Sequence, residues 1–243
     1  MTAIGPTGTD LHWDVITIKR PGLTRDLPPG KEELMWVANS STLIYGERDA
    51  ILVDTFLTTE QSKTLLGWVV ARGKNLTAIY ITHGHGDHFF GLASLLERFP
   101  RAKAVATPEI VKAMREHLSP AWIEDFWRRL FPGEIPDRLL VAEPLENDEL
   151  ELEGHKLVAV NAGQTDTAHS TCLHVPSIGL IVGGDAVSEL CDIPVVMITV
   201  VPDRGLGQSL GAADVLTKPV DRGHLTTLLR RLVRRTAAAG PEY

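Results

Sequence analysis

The chain is poor in cysteine: of its 243 residues only Cys172 and Cys191 carry a thiol, with no C-x-x-C spacing. That excludes a disulfide framework and a cysteine zinc ribbon, and leaves both residues as small apolar groups near a core. No stretch approaches the roughly 18 apolar residues of a membrane span, and Met1 to Asp10 lacks the basic start and apolar run of a secretory signal. The expected compartment is therefore the cytoplasm. Cationic charge is also scarce, with 24 Lys and Arg against 31 Asp and Glu and a net charge of -7. Nothing supplies the basic surface that nucleic acid or anionic lipid requires, so a small-molecule substrate is the expected partner and neither nucleic acid nor membrane is. Oligomeric state stays open.

What is present is a globular composition, 44% hydrophobic and 23% charged, long enough to bury a real core. His12 to Lys19, Met35 to Tyr45 and Ala50 to Asp54 are rich in Val, Ile, Leu and Thr and bounded by Gly and Asp, which predicts an opening meander of strands. Thr59 to Arg72 has helical spacing, Ala78 to Thr82 reads as a buried strand, Asp87 to Phe99 as a helix, Lys103 to Ala106 as a strand and Pro108 to His117 as a helix. Between Ala121 and Leu130, Trp122, Phe126, Trp127 and Leu130 form an aromatic stripe, read as core or a lid packing face in preference to a substrate wall. Glu149 to Leu152, His155 to Asn161, Thr171 to Val175 and Leu180 to Val182 predict a second set of strands. Two strand-rich halves with helices between and outside them imply a layered α/β fold.

The chemistry concentrates in Thr82-His83-Gly84-His85-Gly86-Asp87-His88. A buried strand delivers this loop at its carboxyl end, the two glycines let it bend, and four ligand-type side chains converge. Imidazole and carboxylate are donors that zinc and similar divalent ions prefer. H-x-H-x-D-H arises by composition alone in roughly one such chain in a thousand. A loop of hydrogen-bonded His and Asp without metal is the alternative, but packed imidazoles repel whenever they protonate.

This segment resembles the signature of the metallo-β-lactamase-fold superfamily, and Asp49 to Asp54 is similar to its early strand ending in Asp. The resemblance covers about residues 11–190. It implies a four-layer αββα sandwich, with one or two Zn2+ ions held by His83 and His85 at a first site and by Asp87 and His88 at a second. Gly184-Asp185 matches the family's Gly-Asp, which makes Asp185 the implied bridging ligand. Where the family has Gly-His-Thr this chain reads Gly163-Gln164-Thr165, and a neutral amide is a poor zinc donor. His169 is the candidate replacement; an ordinary loop histidine is the equal alternative.

From Ile193 onward the chain is instead similar to the second half of a response-regulator receiver. Ile193 to Thr199 looks like its fourth strand and Leu216-Thr217-Lys218-Pro219-Val220 like its Lys-Pro switch. Strands at Ile193 to Val201 and Ala213 to Thr217, and helices at Gly205 to Leu210 and Asp221 to Thr236, make up this β-α-β-α tail. Residues 1–192 are thus the expected metal-binding region, and 193–243 a receiver-like unit completing the same domain. The receiver's phospho-acceptor half is absent, and Lys218 reads as a structural relic. His224 is a possible last ligand of the second metal or a solvent-facing histidine.

By resemblance the protein is a zinc-dependent hydrolase of an ester, lactone or β-lactam carbonyl. The metal polarises the carbonyl and supplies hydroxide by lowering the pKa of a bound water towards about 7, while Asp87, the candidate catalytic residue, orients it and protonates the leaving group. Thioester or phosphodiester hydrolysis is the alternative within the family, and a non-catalytic metal-binding or chimeric protein with an impaired site the alternative outside it.

Overall fold

A computed structural model describes residues 10–19, 38–165, 167–187, 196–199 and 214–217. The chain divides into two compact units, Met1–Ala186 and Val187–Tyr243.

In the first unit β1 (His12–Ile18), β2 (Asn39–Tyr45) and β3 (Asp49–Val53) form the expected antiparallel meander. Parallel strands β4 (Asn75–Tyr80), β5 (Lys103–Ala106) and β6 (Glu143–Pro144) extend it into a six-stranded sheet in sequential order. The crossovers are helical: α1 (Thr59–Ala71), then α2 (Gly86–Phe89) with α3 (Leu92–Arg98), then α4 (Pro108–His117) with a π-helix at Ala121–Arg128. Helix α1 starts where the sequence marks it, because Thr58 and Gln61 close a reciprocal capping box. Strands β7 (Glu149–Leu152), β8 (His155–Gly163), β9 (Ser170–Val175) and β10 (Leu180–Val182) make a second, wholly antiparallel sheet.

Alternation along the central strands shows how the layers stack. Leu43, Ala50, Leu52, Leu76, Ile79 and Ile81 belong to one core cluster, together with Leu65, Leu95, Ile110 and Trp127 of the helices. Their neighbours Ile44, Ile51, Val53, Ala78 and Tyr80 belong to another, with Leu157, Leu173 and Val175 of the second sheet. Period-two side chains thus give the first sheet two buried faces, one under helices and one against the other sheet. Among the described residues this supplies three of the four expected layers, helix, sheet and sheet. The sheets are also tied at one edge by Glu153, whose carboxylate accepts from the backbone N–H groups of Glu47, Arg48 and Asp49 at 2.6–2.9 Å.

Three expected elements differ. Strand β4 ends at Tyr80, two residues before Thr82, so the histidine loop begins earlier. The single helix expected from Asp87 to Phe99 is split into α2 and α3. The cause is visible at His88, whose carbonyl accepts from Thr55 N at 2.7 Å and Thr55 Oγ1 at 3.0 Å and so leaves the helical ladder. The aromatic segment is a π-helix, whose wider turn often accompanies functional sites. No helix among the described residues is long and apolar enough to cross a membrane.

In the second unit β11 (Val196–Thr199) pairs in parallel with β12 (Asp214–Thr217). Both fall within strands expected of the tail, and a parallel pair requires a crossover. Lys218, Cys191 and the helices expected at Gly205 to Leu210 and Asp221 to Thr236 lie outside the described residues.

Candidate metal centre

The carboxyl ends of β3 and β4 lie side by side, and the site is built there. Asp54, one residue past β3, adopts φ 61°, a costly conformation for a non-glycine residue that surrounding bonds must hold. Its N–H donates to Tyr80 O at 2.9 Å and its carbonyl accepts from Ser41 Oγ at 2.8 Å. Its buried carboxylate accepts from Thr82 N at 2.8 Å, from Thr82 Oγ1 at 2.7 Å and from His88 Nδ1 at 3.0 Å. A carboxylate on Nδ1 places the ring proton there and turns Nε2 into the donor of an electron pair.

His88 Nε2 faces Asp185 Oδ2 at 3.3 Å, brought in by a 3-10 turn at Gly184–Val187. Asn39, at the start of β2, donates to Asp87 Oδ2 at 3.0 Å and lies 3.2 Å from His88 Nε2. The His83 ring is centred 4.0 Å from that of His88 and 5.1 Å from that of His85. Its Nδ1 lies 3.1 Å from Thr82 Oγ1. His83, Asp87 and His88 are at most 5% exposed; His85 is half-buried.

Electrostatically the pocket calls for a cation. Burial opposes the charging of His88, but the Asp54 charge, hydrogen bonds to Asp185 and Asp54 and the Asp87 charge outweigh it, holding the imidazole pKa well above its ordinary value. A proton there does what a divalent ion does better, and the imidazole and carboxylate donors suit zinc. Donor atoms of Asp54, His83 and His88 come within 4.8 Å of one another, a convergence that no other trio of His, Cys, Asp or Glu reaches among the described residues. Asp54, however, already spends its oxygens on three hydrogen bonds, so its place is behind His88.

The histidine loop's glycines have a different reason from the one expected. Neither Gly84 nor Gly86 has a positive φ; each is there for close packing, since a Cβ would come within 2.5 Å of Ala113 Cβ at Gly84 and of the Phe90 ring at Gly86. Gly184 does need its freedom, with φ +52°, and a Cβ on it would lie 2.3 Å from Thr82 Oγ1.

His83, His85, Asp87 and His88 are therefore brought together, and Asp185 joins them. His169 is exposed and lines a neighbouring cleft of about 210 Å³ with Glu109, Asp148 and Asn161. Gln164 is exposed at the end of β8, and His224 lies outside the described residues. The second sheet still reaches the loop, because Ser170 bridges to His83 and Thr171 N donates to Thr82 O at 2.9 Å.

Sequence reading missed Asn39, Thr82 and His117, and took Asp54 only as the end of a strand. Thr82 adjoins the motif, and Asp54 carried a signal in its position after a buried strand. Asn39 and His117 had none, being brought in by sheet pairing and by the length of α4. His117 closes α4, stacked at 4.1 Å on Trp122 and centred 5.0 Å from the His85 ring. Burial and the His85 and His83 rings, against a weaker pull from Asp87, push its pKa down to about 4, so it is neutral. The aromatic stripe divides: Trp127 is core, as expected, whereas Trp122 is 37% exposed beside the histidines.

Buried imidazoles and carboxylates converging at the ends of parallel strands define a metal-binding α/β protein. The family model described as the metallo-β-lactamase superfamily matches residues 34–228, and the chain belongs to that superfamily. Locally it is similar to hydroxyacylglutathione hydrolases. That of Actinobacillus pleuropneumoniae serotype 5b (strain L20) is 30% identical over 77 residues, 32% of this chain and 31% of that protein. That of Francisella tularensis subsp. novicida (strain U112) is 34% identical over 79 residues, 30% of each chain. The matched stretches thus span under a third of these curated relatives. Among solved structures, the B3 metallo-β-lactamase BLEG-1 aligns over 78% of this chain and 74% of its own, at 14% identity and a TM-score of 0.47.

Proposed function

We propose that this protein is a hydrolase of acyl bonds that uses one or two zinc ions, acting on a small-molecule ester, lactone, thioester or β-lactam. The observation that carries this reading is the buried convergence of His83, Asp87 and His88 with half-buried His85 and Asp185 beside it. Within the acyl class the local likeness to hydroxyacylglutathione hydrolases moves the thioester from alternative to leading substrate.

In this reading His83 and His85 would hold a first ion and Asp87 and His88 a second, with Asp185 as a further carboxylate donor. When bound, such ions supply Lewis acidity toward the carbonyl oxygen and make water acidic near neutral pH. The chain's own part is orientation and proton handling. Asp54 holds His88 through Nδ1, and Thr82 holds Asp54. Asn39 donates to Asp87 Oδ2, which keeps a lone pair for an ion; the other oxygen would accept a proton from the attacking water and return it to the leaving thiolate or alkoxide. Gln164 supports no role on the ions, and His169 and His224 stay proposals as ligands. The family match runs through both compact units, which supports residues 193–243 as the closing part of the superfamily domain; their receiver likeness remains a resemblance.

The test is turnover by the zinc-loaded protein of a 2-hydroxyacyl thioester of glutathione, p-nitrophenyl acetate, a homoserine lactone and nitrocefin. We expect the thioester to be cleaved fastest, and Asp87→Asn to lower kcat by about 100-fold or more. Full zinc occupancy with none of the four cleaved sinks the acyl-hydrolase reading and favours a non-catalytic metal-binding protein.

A further inference from the structure

Beside the proposed ligands sit two side chains that the reaction has not used. His117 is 8% exposed, and its Nδ1 is buried without a hydrogen-bond partner. Its ring is centred 5.0 Å from that of His85, inclined at 51°. On the His117 ring lies the Trp122 indole, at 4.1 Å and 17°. Trp122 is held from one side by Phe126, edge-on at 5.2 Å. Its neighbours in the π-helix go inward, Ile123 at 8% and Trp127 at 3% exposure, while Trp122 keeps 37%.

A buried imidazole nitrogen without a partner costs free energy unless something bound supplies one. A large aromatic face left half open beside a reaction centre favours a flat apolar guest, since offset stacking adds to the area buried. The two features belong to one unit, because stacking on Trp122 fixes the ring that lies beside His85. We infer that His117 and Trp122 form the subsite for the substrate's acyl group, His117 Nδ1 hydrogen-bonding a polar atom of that group and Trp122 stacking on a flat, apolar part of it such as an aryl ring. The subsite rests on the acyl-hydrolase reading for its place in the reaction, but its occupancy is measurable without turnover.

The probes are two product-like hydroxy acids, mandelate and lactate, titrated by calorimetry into the zinc-loaded full-length protein. Mandelate is expected to bind at least about tenfold more tightly than lactate. Trp122→Ala, a change at a half-exposed position, should abolish that preference. His117→Phe retains a ring for stacking but no nitrogen, and should weaken both acids about tenfold with zinc content unchanged. Equal binding of the two acids, no binding of either, or a preference that survives Trp122→Ala overturns the subsite. Loss of zinc in His117→Phe also overturns it, making His117 a metal donor instead. Failure of all four turnover substrates alongside an intact mandelate preference rejects the hydrolase reading and spares the subsite.

Discussion

The histidine loop has two sides held in different ways. On the inner side Asp54, Thr82, His88, Asn39 and Asp87 are at most 5% exposed and joined by directional hydrogen bonds of 2.7–3.2 Å. On the outer side His85, His117 and Trp122 are positioned by ring packing at 4.1–5.0 Å. Hydrogen bonds fix an angle, which ligand nitrogens and carboxylates need. Ring packing fixes a surface and tolerates variation in what it meets, which suits the wall that His117 and Trp122 make beside the proposed ligand His85. One short loop thus combines a rigid metal cradle with an adaptable face.

The strongest way to break this contrast is Asp54→Ala. It strips His88 and Thr82 of their buried partner, and we expect the metal-free protein to lose about 3–5 kcal/mol in urea denaturation. Zinc affinity, read by chelator competition, should fall about 10–100-fold. His85→Ala should spare most of that stability; equal losses would erase the distinction between the two sides.

Next in size is the pH response of the metal-free protein. The folded pKa of His117 is about 4, below its ordinary 6.5, so between those values the unfolded chain binds a proton that the folded chain refuses. Its contribution is complete above about pH 6.5 and is lost as pH falls towards 4, by roughly 3 kcal/mol at most. His117→Phe should flatten that limb of a stability profile measured by urea denaturation, while Asp54→Asn should leave it in place.

Metal removal tests the proposed donors, which the inner side supplies together with His85. Zinc at 100 times its Kd should stabilise the folded protein by about 2.7 kcal/mol, seen as a rise in Tm that EDTA reverses and that Asp54→Ala diminishes. The smallest effect is expected from Asn39→Ala, which frees one oxygen of Asp87 without removing a ligand. Zinc affinity should drop about tenfold, and Trp122→Ala should not change it.

Much of the fold was legible because the signals are local. The meander His12 to Asp54 follows from runs rich in Val, Ile, Leu and Thr, α1 from apolar residues at helical spacing, and α4 from Pro108 at its first position. The metal loop was legible because its donors are contiguous in the chain. The break between α2 and α3 was not, since the groups that take the His88 carbonyl belong to Thr55, far earlier in sequence. Nor was the reason for Gly84, which answers to Ala113 of a helix yet to come.

Sequence alone thus determined which donors are present, where they cluster and which strand delivers them, because residue chemistry and short-range periodicity are written along one dimension. Only the tertiary structure decided that Asp54 stands behind His88, that Asn39 holds Asp87, that His169 lines a neighbouring cleft, and that His117 and Trp122 flank His85. Each of those is a contact between segments separated by many residues, and it exists only once two sheets and their helices have been packed against one another.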